Sequence, residues 1–299
     1  MKKLFLLLLL VSSVACGRDI KLIVPYSPGG STDRLSRMLA STLSSPEYNF
    51  IVDYRLGAGG SIAANYVAGT KNETVIMITS NGLVGNPLIN HTNTYDATKD
   101  FKLVDYIGAE PLLVVTSSDN QINDFRNFMQ LSKTKSMPYG SAGVGSSGHL
   151  TSAIIADQNT NFIHVPYKGG SAVLVDLLAR RIEWMTDSDS VLGPHINANK
   201  VKPLAVFYHT RLAQYPDVPT INELGINDRD FYRWHIMVAN IDADPKVIAY
   251  LKKKLQDPEV KTNIKNLGID TAPPKNVNNF LKSETTKLQK IIKDFNIVQ

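Results

Sequence analysis

Four loops of small residues hold the groups in this chain best placed to do chemistry. The first is Pro25-Tyr26-Ser27-Pro28-Gly29-Gly30-Ser31-Thr32-Asp33, and the second is Arg55-Leu56-Gly57-Ala58-Gly59-Gly60-Ser61. The third is Tyr139-Gly140-Ser141-Ala142-Gly143-Val144-Gly145-Ser146-Ser147-Gly148-His149, and the fourth is Pro166-Tyr167-Lys168-Gly169-Gly170-Ser171. Each leads from a strand-like run into a helical pattern. Such a loop aims unpaired backbone N–H groups and the positive end of a helix dipole at one point. With hydroxyls alongside, that is chemistry for holding a carboxylate or a phosphate. A single loop also reads as an ordinary turn before a helix. Four of them suggest a cleft lined by amides and hydroxyls.

Enzymatic arrangements fit less well. Gly143-Val144-Gly145-Ser146-Ser147-Gly148 satisfies G-x-G-x-x-G, but the next strand-like run ends in Pro166-Tyr167-Lys168, without the acidic residue that a dinucleotide ribose needs. No Gly-Lys-Ser/Thr closes either phosphate-type loop, and no Gly-x-Ser-x-Gly elbow occurs. The six histidines show no i,i+4 pair, so no metal and no cofactor is expected. His149, near a helix start, is a candidate donor to an anion or a support for its own loop. Asp33 reads as a partner for first-turn amides, and Asp187 and Asp189 as helix caps. Ser31 and Thr32 stand where an N-cap is expected.

The elements that must position these loops alternate along the chain. Strand patterns cover 21–25, 50–54, 74–79, 103–107, 112–116, 137–140, 162–165, 183–186, 202–207 and 234–239. Helical patterns cover 33–43, 63–68, 122–133, 148–157 and 172–178, and then 246–256, 258–267 and 277–297. This alternation predicts an α/β fold with parallel sheets, ligands binding beyond the carboxyl ends of the strands. Lobe 1 is expected over 19–116 plus 228–299 and lobe 2 over 117–227. No internal repeat is evident.

Residues 1–15 read as a signal peptide: Lys2 and Lys3, an apolar run from Leu4 to Val11, then small residues up to Ala15. The apolar run is too short to span a bilayer, which takes about 20 residues. Cys16, the single cysteine, follows at once and reads as a lipidation site, although Ser13 stands where Leu is usual. An exported, periplasmic chain, tethered through Cys16, is expected. The net charge is +5, and losing Lys2 and Lys3 leaves +3. Without arginine–aromatic clustering, no nucleic-acid partner is expected.

At its loops the chain resembles the Bug (TctC-like) family, the substrate-binding receptors of tripartite tricarboxylate transporters. The residues that carry the resemblance are Val24–Asp33, Tyr54–Ile62, Tyr139–Leu150, His164–Gly170 and Pro216–Thr220, in order along the chain. Tyr54 and Leu56 depart from the usual Asn and Pro, and Arg180 stands where Gly is common. The resemblance implies a two-lobed periplasmic binding protein fold (type II-like), each lobe a sheet flanked by helices, closing over a ligand without chemistry.

Carried over by position, Ser27, Gly30, Ser31, Thr32 and Asp33 form one wall of the site. Ser141, Gly145, Ser146, Ser147 and His149 form the other, joined by Ser80, Tyr167, Lys168, Gly169 and Asp187. The implied role is capture of a di- or tricarboxylate or related organic acid by a monomeric receptor, and its delivery to membrane transporter subunits. A sensor for a signalling partner, or an enzyme using the Gly-rich loops, are the alternatives.

Overall fold

The computed structural model describes residues 17–91, 93–156, 160–226 and 231–297. The expected signal peptide, Cys16 and the expected lobe boundary at 227/228 lie outside the described residues.

Among the described residues, ten strands form two five-stranded sheets. They are β1 (Arg18–Val24), β2 (Tyr48–Tyr54), β3 (Val75–Thr79), β4 (Phe101–Glu110), β5 (Leu112–Ser117), β6 (Met137–Ser141), β7 (Phe162–Pro166), β8 (Trp184–Ser188), β9 (Val201–Phe207) and β10 (Arg233–Asn240). The first sheet has the order β2-β1-β3-β10-β4 and the second β7-β6-β8-β5-β9. Each contains three parallel strands, continued by an antiparallel strand and an antiparallel edge. The expected parallel sheets are thus mixed, parallel over three strands and antiparallel at the fourth and fifth. The fourth strand of each sheet, β10 or β5, follows in the chain a strand of the other sheet and runs against its neighbours. Because β5 belongs to the second sheet, the first crossing falls at Pro111, ahead of the expected limit at 116.

The helices of the described residues flank the sheets: α1 (Ser31–Leu43), α2 (Ser61–Gly69), α3 (Gly82–Ile89), α4 (Phe125–Ser132), α5 (Ser147–Ala156), α6 (Gly170–Leu178), α7 (Asp189–Asn197), α8 (Pro245–Leu255), α9 (Pro258–Asn266) and α10 (Phe280–Asp294). In α1, Leu35, Leu39 and Leu43 bury one stripe against the first sheet and α8. Asp244 caps α8 through the Lys246 N–H at 2.9 Å, Pro245 fits its first turn, and Lys252–Lys254 face the negative end of its dipole.

Helices α3 and α7 have no counterpart among the sequence patterns. Pro87 and Pro194 lie inside them, with Gly85 two residues before the first and Gly193 next to the second, and these residues read as breakers. One apolar core lies behind α1, α8 and α9 and another behind α6 and α7. A third is continuous across both lobes, joining Trp234 and Phe280 to Phe128 and Trp184. None of the described helices is long and apolar enough to cross a membrane.

Candidate functional site

The carboxyl ends of β1, β3, β6 and β8 face each other across the seam between the lobes. There the walls enclose a cavity of about 20 Å³. The first lobe contributes Tyr26, the start of α1 (Gly30, Ser31, Thr32), Ser80 and Arg233. The second contributes Ala142, the start of α5 (Ser146, Ser147), Gly170 at the start of α6, and Asp187 at the end of β8. Three helix N-termini therefore converge on one small space, and their first-turn N–H groups lack intrahelical partners.

The lobes are closed on this cavity. Ser27 N donates to the Lys168 carbonyl at 3.0 Å, and Ser171 Oγ donates to the Pro28 carbonyl at 2.7 Å. Ser147 Oγ donates to Asn81 Oδ1 at 2.9 Å, and Asn86 Nδ2 reaches the Val144 carbonyl at 2.7 Å. Backbone meets backbone where Gly143 lies against Gly59; a Cβ at Gly143 would stand 2.7 Å from the Gly59 nitrogen. The glycines of the second loop thus serve the closure and do not line the cavity.

Beside the cavity lies a buried charge network. Arg233 Nη1 lies 2.6 Å from Asp187 Oδ1 and 3.4 Å from Glu110 Oε1. Glu110 also accepts from Ser31 Oγ, and from Ser190 Oγ at 3.0 Å. His235 Nε2 faces Glu110 Oε1 at 2.9 Å, so this nitrogen carries the hydrogen. Burial alone would raise the Glu110 pKa. The His235 hydrogen bond and the Arg233 charge outweigh it and hold the carboxyl down to about 2. Burial opposes the charge on Arg233, but Asp187 and Glu110 more than restore it, raising its pKa.

Among the residues named from sequence, the structure brings Gly30, Ser31, Thr32, Ser80, Ser146, Ser147 and Asp187 together around the cavity. Ser31 and Thr32 do not cap α1 with their side chains. Gly30 is its N-cap, and the Ser31 hydroxyl turns to Glu110. Neither aspartate of the 187–189 segment caps a helix: α7 has Ser188 as its N-cap, and Asp189 accepts from Tyr215 Oη at 2.6 Å.

The others lie outside the lining, each for a physical reason. Ser27 and Gly169 touch each other across the seam, and the Lys168 side chain is exposed while its carbonyl bridges the lobes. Asp33 is turned back by Gly29 N at 2.8 Å, Arg37 Nε at 3.0 Å and Tyr54 Oη at 2.5 Å. Tyr54, a departure from the family pattern, is thus one of the residues that hold Asp33. Tyr167 donates its hydroxyl to Asp176 at 2.8 Å.

Ser141, Gly145 and His149 lie under the third loop. Ser141 Oγ is 2.6 Å from His164 Nε2, and Gly145 N donates to His149 Nδ1 at 3.2 Å. The reading of His149 as an anion donor is corrected. Burial, with the His164 ring tilted against it at 4.2 Å, lowers its pKa to about 3, and it lines a separate groove with His164, Phe295 and Ile297.

Sequence reasoning missed Tyr26, Ala142, Gly170, Arg233 and Glu110 as parts of the site. Arg233 and Glu110 end apolar strands whose expected limits, 234 and 107, stopped short of them. A charged residue directly flanking a buried strand was the available signal.

The family profile described as tripartite tricarboxylate transporter family receptor matches residues 35–297. A protein of Pseudomonas sp. (strain P51), named for the tcbD-tcbE intergenic region, is 32% identical over 292 residues, covering 94% of this chain and 87% of its own. The structure of the R. palustris protein Rpa4515 with adipate superposes with a TM-score of 0.85 at 25% identity, over 94% of this chain and 98% of that one. The periplasmic binding protein BugD matches with a TM-score of 0.85 at 24% identity over the same shares. The fold is that of periplasmic binding proteins, and the chain belongs to the tripartite tricarboxylate transporter receptor family.

Proposed function

We propose that this member of the receptor family captures a small organic carboxylate outside the cytoplasm and delivers it to the membrane subunits of a tripartite transporter. The observation that carries this reading is the convergence of α1, α5 and α6 N-termini, with Ser31, Thr32, Ser146, Ser147 and the Arg233 guanidinium, on one cavity between two lobes. Amides and hydroxyls at helix starts favour an anion without fixing it irreversibly. The adipate held by the R. palustris relative supports a carboxylate over a phosphate.

The cavity, about 20 Å³, has room for about one water. Binding and release of an organic acid therefore require the lobes to part and close again, a hinge motion in which the ligand favours the state that touches it from both sides. Export by the 1–15 segment, tethering through Cys16 and a monomeric state complete the reading.

A thermal-shift screen of small carboxylates, with nucleotides as comparison, tests it. A ligand at a hundredfold excess over its Kd stabilises the native state by about 2.7 kcal/mol. At roughly 2–4 °C per kcal/mol in proteins of this order of size, that is a shift of several degrees. Shifts with nucleotides and none with carboxylates would overturn the proposal.

A further inference from the structure

The charges at the cleft are divided unevenly between the lobes. On the first lobe, Arg233 and Glu110 stand opposite each other in the β10–β4 register and balance within that lobe. Asp187 belongs to the second lobe, and its one cationic partner among the described residues is Arg233, across the seam at 2.6 Å. The two are the charged side chains among the residues that line the cavity. Asp187 Oδ1 takes the Arg233 bond and the Ser188 N–H at 2.7 Å. Its Oδ2 receives no hydrogen bond among the described residues and lies against the Gly170 Cα.

The closed cavity that Asp187 and Arg233 line has room for about one water, so an organic acid seated there takes up the space the two now share. Where the ligand parts them, Arg233 keeps Glu110; Asp187 keeps no cation. A plain di- or tricarboxylate would leave it buried, without a counter-charge, beside a further negative group, an arrangement strongly disfavoured in a desolvated site. An ammonium group on the ligand restores the pairing. Its carboxylate then faces the start of α1 and the Arg233 guanidinium, all of whose hydrogen bonds among the described residues use Nη1.

We infer that the ligand is an ammonium-bearing carboxylate, an amino acid or amino dicarboxylate, and that Asp187 selects it. This rests on the carboxylate-receptor reading and adds the ligand class to it.

The test is calorimetric titration of the purified chain with matched pairs, succinate against aspartate and adipate against 2-aminoadipate. The expected result is at least tenfold tighter binding of the amino member of one pair, with Asp187→Asn bringing that ratio near one. Equal affinities, or tighter binding of the unsubstituted acid, would overturn the inference while leaving the carboxylate reading in place. So would a preference for the amino member that survives in Asp187→Asn. If neither member of either pair bound, the carboxylate reading itself would be in error, and this inference with it. The wild-type comparison decides the ligand class even if the variant does not fold.

Discussion

Gly169 offers a way to perturb closure of the lobes and little else. It precedes α6 with φ 166° and ψ 161°, an extended conformation open to any residue, so Gly169→Ala introduces no backbone strain. In the closed arrangement the new methyl would stand 2.6 Å from the Ser27 nitrogen and 3.0 Å from its Cβ, on the opposite lobe. Inserting a methyl into a packed contact costs about 1–3 kcal/mol. The displacement also breaks the bond from Ser27 N to the Lys168 carbonyl, 3.0 Å long and worth about 1 kcal/mol. The closed state is therefore disfavoured by about 3 kcal/mol, and a ligand that requires it binds roughly 100-fold more weakly, at 1.4 kcal/mol per decade. The assay is calorimetric titration with whichever carboxylate gives the largest thermal shift, with circular dichroism confirming the fold. Gly69→Ala is the control, because a Cβ there meets nothing within 4 Å. Wild-type affinity in Gly169→Ala would refute the argument that binding needs this closure.

Thr32→Ala combined with Ser147→Ala is expected to weaken that ligand by roughly 30-fold, two hydroxyl contacts at about 1 kcal/mol each, with the circular dichroism spectrum unchanged. Unchanged affinity would move the ligand elsewhere. Arg180→Gly should stabilise the chain. Arg180 holds a left-handed φ of 58° after α6, a conformation unfavourable to a side chain by roughly 1–2 kcal/mol, while its ion pair with Asp119 is exposed and worth little. A melting temperature raised by about 2 °C is expected, and a lower one would contradict the strain argument.

The adjoining buried pair His149 and His164 should make stability fall with acid. Burial lowers their folded pKa values to about 3 and about 4, so the unfolded chain, near 6.5, takes up protons first. Stability is full above pH 6.5 and declines as pH falls through about 4 for His164 and about 3 for His149. At pH 5 the loss is about 2 kcal/mol per histidine. Urea unfolding at pH 7 and pH 5 should show a smaller loss in His164→Gln than in wild type, and parallel losses would contradict it.

The ten strands were legible because each is an apolar run ended by Gly, Pro or a charged turn, and the helix starts that build the cleft were legible from their loops. Harder to read was everything set by contact between distant segments. Pro87 and Pro194, each the sixth residue of its helix, hid α3 and α7, because a proline inside a helical run reads as a breaker. The shared strand order of the two sheets left no sequence repeat, since packing constrains burial and register and not residue identity. Within the third loop, sequence spacing alone does not separate Ser147, which faces the cavity, from His149 two residues on, which turns beneath the loop. Glu110, Asp187 and Arg233 come together only through the crossing at Pro111 and the return of β10, 123 residues separating Glu110 from Arg233.

The account turns on a carboxylate held between the α1 and α5 N-termini of two closing lobes. Small-angle scattering of the purified chain across a titration with its best carboxylate tests this most directly. The predicted result is a saturable fall in radius of gyration in wild type that is absent in Gly169→Ala. A carboxylate that binds with the same scattering curve throughout, or equal compaction in both proteins, would contradict it.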